Sequence, residues 1–325
     1  MEFLYIATLA VVGFWAFRSI LRKFWGTADR GNEEDATNKV VVITGANSGI
    51  GKATALEMAE RGAIVVMACK DMDEANAAII NIRKTTGTGR LIPMKIDLAS
   101  LDSVRQFASD LSKKFDKVDI LINNAGVLVS GKLQQKTQEG FEINFGVNHL
   151  GHFLLTNLLL DSLKKAAPSR IVTVSSDVHL KGLIDFKDLM GENQRGTRNP
   201  IKNKHYANSK LANVLFSFEL ARKLWGTNVQ TYCASTGLVK TKIVKIPFPW
   251  RIFSSLIQRI FFKTPQEGCQ TVLHCALSKQ CRYETGEMYQ HCRKWLPEDR
   301  IPIRREVASR LWTVSEELVG LKKDK

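Results

Sequence analysis

Cysteine is scarce and scattered. Six occur in 325 residues, at positions 69, 233, 269, 275, 281 and 292. They form no Cys-x-x-Cys pair, and no histidine stands at a spacing suited to zinc. A zinc module and a disulfide-stapled secreted domain are therefore excluded; reduced thiols in a cytosol-facing protein, with no metal, are expected. Internal repeats and long low-complexity tracts are missing too, which excludes solenoids and disordered arrays. Acids are in deficit: 32 Asp and Glu against 47 Lys and Arg leave a formal charge of +15. The basic residues are spread along the chain without a recognition motif, so no nucleic-acid partner is expected. Attraction to an anionic membrane surface accounts for the excess equally well.

The N-terminus favours the membrane. Residues 2–17 are almost wholly apolar, Arg18, Arg22 and Lys23 follow, and Trp15 and Trp25 lie near the edge. A cleaved signal peptide wants positive charge before the apolar run and small residues after it, and neither is present. An uncleaved anchor over residues 1–25 is expected, extended to Leu21 by snorkelling of Arg18, with its basic flank toward the cytosol. Polar residues 26–38 then read as a linker to one domain over 39–320.

From residue 39 apolar β-rich runs alternate with helical stretches. The pattern predicts strands at 39–44, 63–69, 91–96, 118–123, 169–175 and 228–234. Helices are predicted at 49–61, 72–85, 100–115, 140–166 and 204–224. This alternation gives a single α/β domain: a doubly wound parallel sheet of Rossmann type, with ligands beyond the carboxyl ends of its strands. Polar motifs fall at those ends. Thr44-Gly-Ala-Asn-Ser-Gly-Ile-Gly51 follows the first strand, Cys69-Lys70 ends the second and Asp97 follows the third. Asn123-Asn-Ala-Gly126 ends the fourth and Ser175-Ser176 the fifth.

The first of these is a phosphate cradle. Gly45, Gly49 and Gly51 let backbone approach a pyrophosphate, and the free N–H groups and dipole of the following helix favour its charge. The spacing is Gly-x-x-x-Gly-x-Gly, not the usual Gly-x-Gly-x-x-Gly. Far downstream, Tyr206 and Lys210 stand four apart in a predicted helix, on one face and one turn from each other. An ammonium held near a phenol is expected to lower its pKa and let it exchange protons near neutral pH.

Taken in order, Thr44-Gly-x-x-x-Gly-x-Gly51, Asn123-Asn-Ala-Gly126, Ser176 and Tyr206-x-x-x-Lys210 resemble the short-chain dehydrogenase/reductase superfamily over about residues 38–290. A narrower likeness is carried by Val147-Asn-His-Leu-Gly-His-Phe-Leu-Leu-Thr156, Ser209-Lys-Leu-Ala-Asn213, Lys263-Thr-Pro-Gln266 and Leu311-Trp-Thr-Val-Ser315. These segments are similar to membrane-bound retinol dehydrogenases and their insect relatives.

The resemblance implies roles. Tyr206 is the acid in reduction and the base in oxidation, and Lys210 also holds the nicotinamide ribose. Ser176 bonds the carbonyl oxygen as it gains charge; Ser175 is the alternative that the sequence alone does not separate. Asn148 supports a water relay through the lysine. Thr44, Gly45, Asn47, Ser48, Gly49, Ile50 and Gly51 form the cofactor loop. Asp97 contacts adenine, Asn124 the ribose and Thr241 the carboxamide. At the end of the second strand Cys69 stands where an NAD enzyme places an acid, and Lys70 follows, which favours a 2′-phosphate and hence NADP(H). Asp71 turning back to the ribose is the alternative.

Two further segments bear on substrate. Residues 181–203 lengthen the interval between Ser176 and Tyr206 and read as a surface insertion, which retinol-dehydrogenase-like members share. Residues 244–262 are aromatic-rich and basic, and read as a lid touching the bilayer, with a buried core helix as the plainer reading. Thr236 replaces the proline that relatives commonly carry before Gly237, removing a rigid φ beside the nicotinamide. The resemblance thus implies a membrane-anchored NADP-dependent oxidoreductase that interconverts retinol and retinal, or a similar lipophilic alcohol and carbonyl. A reductase of steroid or lipid-derived aldehydes and ketones is the nearest alternative; an idle nucleotide-binding scaffold is the alternative of another class. The expected partners are a lipophilic small molecule and membrane lipid, with a homodimer left open. The endoplasmic reticulum is the first expectation for location, and the mitochondrial membrane and the lipid droplet stay open.

Overall fold

The computed structural model describes residues 2–24, 34–87, 89–129, 135–192, 203–239, 262–295 and 305–322. Its strands are β1 (Val40–Thr44), β2 (Ile64–Cys69), β3 (Arg90–Lys95), β4 (Ile120–Asn123), β5 (Ser169–Ser175), β6 (Val229–Ser235), β7 (Glu287–Gln290) and β8 (Arg293–Lys294). They form one sheet in the order β3-β2-β1-β4-β5-β6-β7-β8. Neighbours pair in parallel from β3 to β7, and β8 closes the edge antiparallel to β7. The order reverses between β1 and β4, so a crevice opens beyond their carboxyl ends, where ligands bind in this class of sheet.

Helices cover both faces, and strand alternation decides which residues meet them. Val40, Val42, Ile64, Val66 and Ala68 enter one core. It is built with α4 (Leu101–Lys114), α6 (Gly151–Lys165), α7 (Lys204–Lys223) and α9 (Arg305–Leu318). Val41, Ile43, Val65, Met67 and Cys69 enter the opposite core with α2 (Gly49–Glu60), α3 (Met72–Thr86) and α8 (Pro265–Leu277). Burial on both faces is why these strands read as unbroken apolar runs. On the first face Trp312 of α9 sits 4.8 Å from Phe153 and stacks on Phe216 at 5.8 Å between centroids.

The predicted helix over 140–166 is interrupted. A short α5 (Ile143–Phe145) leads into a π turn (Gly146–Leu150) and then α6. Glycines flank the turn because neighbours come close: a Cβ on Gly146 would lie 2.3 Å from Thr137 Cγ2, and one on Gly151 2.7 Å from Leu98 O. Such extra-residue turns concentrate at functional sites, and this one carries Asn148.

The N-terminal run forms α1 (Glu2–Phe24). Its apolar residues Ile6, Leu9, Val12, Trp15, Phe17 and Ile20 are exposed. However, no helix among the described residues is long and apolar enough to cross a membrane. Within the expected linker, Ala36 is buried in a core and its N–H donates to Arg61 O. Thr241 and nearly all of the 244–262 lid lie outside the described residues.

Candidate active site

The nucleotide side is built from main chain. Gly45 turns out of β1 with φ +65°, and an added Cβ there would lie 3.1 Å from Ala125. Gly51 is tighter still: a Cβ would meet Gly45 O at 2.4 Å and Asn124 Nδ2 at 2.5 Å. Only glycine lets loop, helix and β4 end approach this closely. Ser48 is the N-cap of α2 but makes no side-chain capping bond, and the first turn carries no acid. The neighbouring α3 has Asp71 as a capping acceptor and Asp73 and Glu74 in its first turn. An open, positively polarised helix end facing a glycine cradle fits a pyrophosphate.

Other predicted cofactor residues are already engaged. The Asn124 amide donates to Thr44 O at 2.8 Å, and the Asn47 amide to Glu74 Oε2 at 2.5 Å. Lys70, at the end of β2, pairs with Asp97 Oδ2 at 2.9 Å while its side chain is 73% exposed, so it can turn to an incoming anion. Asp71 Oδ1 accepts from Glu74 N as the α3 cap. Ile50 lies in the first turn of α2.

On the reaction side α7 starts at Asn203, whose Oδ1 accepts from Tyr206 N at 3.1 Å and whose amide donates to Val129 O. Tyr206 and Lys210 are both buried, and Lys210 Nζ lies 5.6 Å from the phenol ring centre. The Lys210 ammonium donates to Val174 O at 3.1 Å. Asn148 reaches the same place from the π turn. Its Oδ1 accepts from Val127 N, and its Nδ2 donates to Val127 O and to Ser209 Oγ. Ser209 Oγ donates in turn to Tyr206 O at 2.8 Å. A Cβ on Gly126 would stand 3.4 Å from Asn148 Oδ1 and 3.6 Å from Lys210 Nζ. The Asn-Ala-Gly motif, the π turn and the Tyr-Lys helix therefore meet at one point.

The two adjacent serines differ. Ser175 is buried and its hydroxyl donates to Lys210 O at 2.9 Å. Ser176, next toward the crevice, makes no side-chain capping bond to the 3-10 turn it precedes, and its carbonyl accepts from His179 Nδ1 at 2.7 Å.

One electrostatic expectation is corrected. Burial pushes the Tyr206 phenol up to about 12 and the Lys210 ammonium down to about 8. Desolvation penalises the charged form of each and is the leading cause of both shifts.

Three participants were not singled out from the sequence. Ser209 joins Asn148 to Tyr206, Asn203 caps α7 under Tyr206, and His152 contacts both Thr44 Oγ1 and Asn148 O. All but Asn203 lay inside segments quoted for family likeness, where polar residues at helical spacing gave the only signal.

Residues 39–187 match the family model described as short chain dehydrogenase. Retinol dehydrogenase 12 of Mus musculus is 42% identical over 305 residues, covering 93% of this chain and 92% of that protein. This chain belongs to the short-chain dehydrogenase family. Retinol dehydrogenase 11 of Homo sapiens is 44% identical over 289 residues, covering 87% and 86% of the two chains. Among solved structures, an uncharacterized protein from Mycobacterium paratuberculosis superposes with a TM-score of 0.69 at 32% identity, covering 91% of this chain and 97% of that one.

Proposed function

We propose that this short-chain dehydrogenase interconverts retinol and retinal, or a closely similar lipophilic alcohol and carbonyl, with NADP(H). The carrying observation is likeness to retinol dehydrogenases along nearly the whole chain, with Asn148, Tyr206 and Lys210 gathered beside the cradle. The open α2 end, Gly45 and Gly51 hold the pyrophosphate, and Lys70 leaves Asp97 for the 2′-phosphate. A nicotinamide held there would supply hydride to the carbonyl carbon in reduction and accept it from the carbinol carbon in oxidation.

Tyr206 gives the matching proton to the substrate oxygen in reduction and takes it back in oxidation. Ser176 donates to that oxygen as charge develops. Asn148 holds the Gly126–Val127 strand end against Lys210, and Lys210 keeps a positive charge near the phenol. The exposed apolar residues of α1 and the basic balance of the chain support a position at a membrane surface, with the endoplasmic reticulum as the expected one.

The test offers all-trans-retinal, decanal and a keto-steroid to the full chain in detergent, with NADPH or NADH, beside Tyr206→Phe. Retinal turnover that prefers NADPH and disappears in the variant is the expected result. Turnover of the steroid or decanal alone would move the assignment to another carbonyl. Nucleotide binding without any turnover would leave a scaffold.

A further inference from the structure

His152 has no part in the reaction just described, yet it lies between the two halves of the site. It projects from α6 one turn beyond Asn148 and is 1% exposed. Its Nδ1 is 3.0 Å from Asn148 O and its Nε2 is 2.8 Å from Thr44 Oγ1. A backbone carbonyl only accepts, so Nδ1 carries the proton and Nε2 presents a lone pair. The Thr44 hydroxyl must then donate to Nε2. Its oxygen is left to accept from Asn124 N and Ala125 N, both at 2.9 Å. The Thr44 hydroxyl thus donates once and accepts twice, and every bond has one direction. The chain of bonds runs from the strand end at Asn124–Ala125, through Thr44 and His152, to the carbonyl of Asn148.

A protonated imidazole would break this order, because both nitrogens would donate and the Thr44 hydroxyl would have to turn toward Ile122 O, 3.4 Å away. Burial holds His152 down to about 4, so the neutral ring persists at working pH. His149, one turn earlier, bonds Ser315 Oγ in the core instead. The two histidines of the Asn-His-Leu-Gly-His segment thus face different surroundings.

We propose that His152 is a positioning residue that fixes the carbonyl and side chain of Asn148 relative to the cofactor loop, through one bond from each ring nitrogen. The inference rests on the proposed dehydrogenase reading for its kinetic effect, though not for its geometry. Loss of the bridge leaves Thr44 held by the two strand-end N–H groups but frees the π turn. Catalytic alignment is therefore expected to suffer more than nucleotide binding.

Two variants and one spectrum test this. His152→Leu removes both bonds, whereas His152→Gln keeps one donor and one acceptor on a flexible stem. With retinal and NADPH, the Leu variant is expected to lose about 100-fold in kcat with the NADPH KM held within about threefold. The Gln variant should recover to within roughly tenfold of wild type. A folded Leu variant at wild-type kcat, or a Gln variant as slow as Leu, overturns the proposal. If the Leu variant does not fold, the Gln variant and the spectrum below carry the test: a folded Gln variant more than about tenfold below wild type in kcat overturns it. Selective nitrogen-15 NMR of the wild-type histidines should show His152 protonated at Nδ1 and bare at Nε2, unchanged between about pH 6 and 8. The opposite tautomer overturns the proposal whether or not any carbonyl is turned over. Absence of turnover by the wild type, with this tautomer observed, would instead count against the functional reading alone.

Discussion

The N-termini of α2 and α3 follow adjacent strands of one sheet, yet they are finished in opposite ways. At α3, Asp71 accepts the Glu74 N–H, and Asp73 and Glu74 add negative charge to the first turn. The same holds at α4, where Ser100 caps and Asp102 follows, and at α8, where Thr264 and Glu267 form a reciprocal capping box. At α2 no side chain caps and no acid is present. A helix that serves only the fold satisfies its own free N–H groups; one that receives an anion leaves them open. The reaction half follows a third pattern, in which the α7 cap Asn203 holds the backbone of Tyr206 itself.

The largest expected effect tests whether binding and chemistry are divided between these helices. Tyr206→Phe should lower kcat by about 10²–10⁴-fold while NADPH affinity, measured by fluorescence titration, stays at the wild-type value. Parallel loss of affinity would mean that α7 shares the work of α2. Next, Gly51→Ala drives a Cβ to 2.4 Å from Gly45 O. Such overpacking costs about 1–3 kcal/mol, and both NADPH affinity and Tm should drop; an unchanged Kd would detach the cradle from the cofactor.

The sharpest contrast comes from finishing α2 as its neighbours are finished. Ser48→Asp supplies the missing cap and a charge, so it should weaken NADPH binding about tenfold while raising Tm slightly. Movement of both in the same direction would show that the open end has no ligand role. The smallest effect belongs to a structural cap. Ser100→Ala should cost about 1 kcal/mol in denaturant unfolding and leave kcat and NADPH Kd untouched.

Much of this was legible in the chain, for reasons that differ by element. β1, β2 and β4 are buried along their whole length, so their residues form apolar runs that announce a parallel sheet. β7 is only Glu-Met-Tyr-Gln, with its outer residues half-buried, and offers no such run. The start of α8 was present as Thr264, Pro265 and Glu267, a cap, an N-terminal proline and the matching acid, and it passed for family likeness alone. The π turn could not be read, since an extra residue inside a helix leaves the apolar pattern almost intact.

Within the site, glycine spacing and the Tyr-Lys interval are local and survived translation into sequence. The Asn148–Ser209–Tyr206 links and the His152 bridge join residues far apart in the chain, and only the sheet order brings them together. Burial reversed the expected direction for the phenol for the same reason: the fold, not the Tyr-Lys spacing, decides how much water reaches it.

The borders of the sheet carry a separate consequence. On one side β3 contains Pro93 and ends in exposed Lys95; on the other, β8 is two exposed basic residues running against its neighbour. Proline removes a donor from the outer row, and a two-residue cationic strand offers too short and too charged a template for another chain. Collisions between copies of the chain therefore find neither described border ready to grow into a shared sheet.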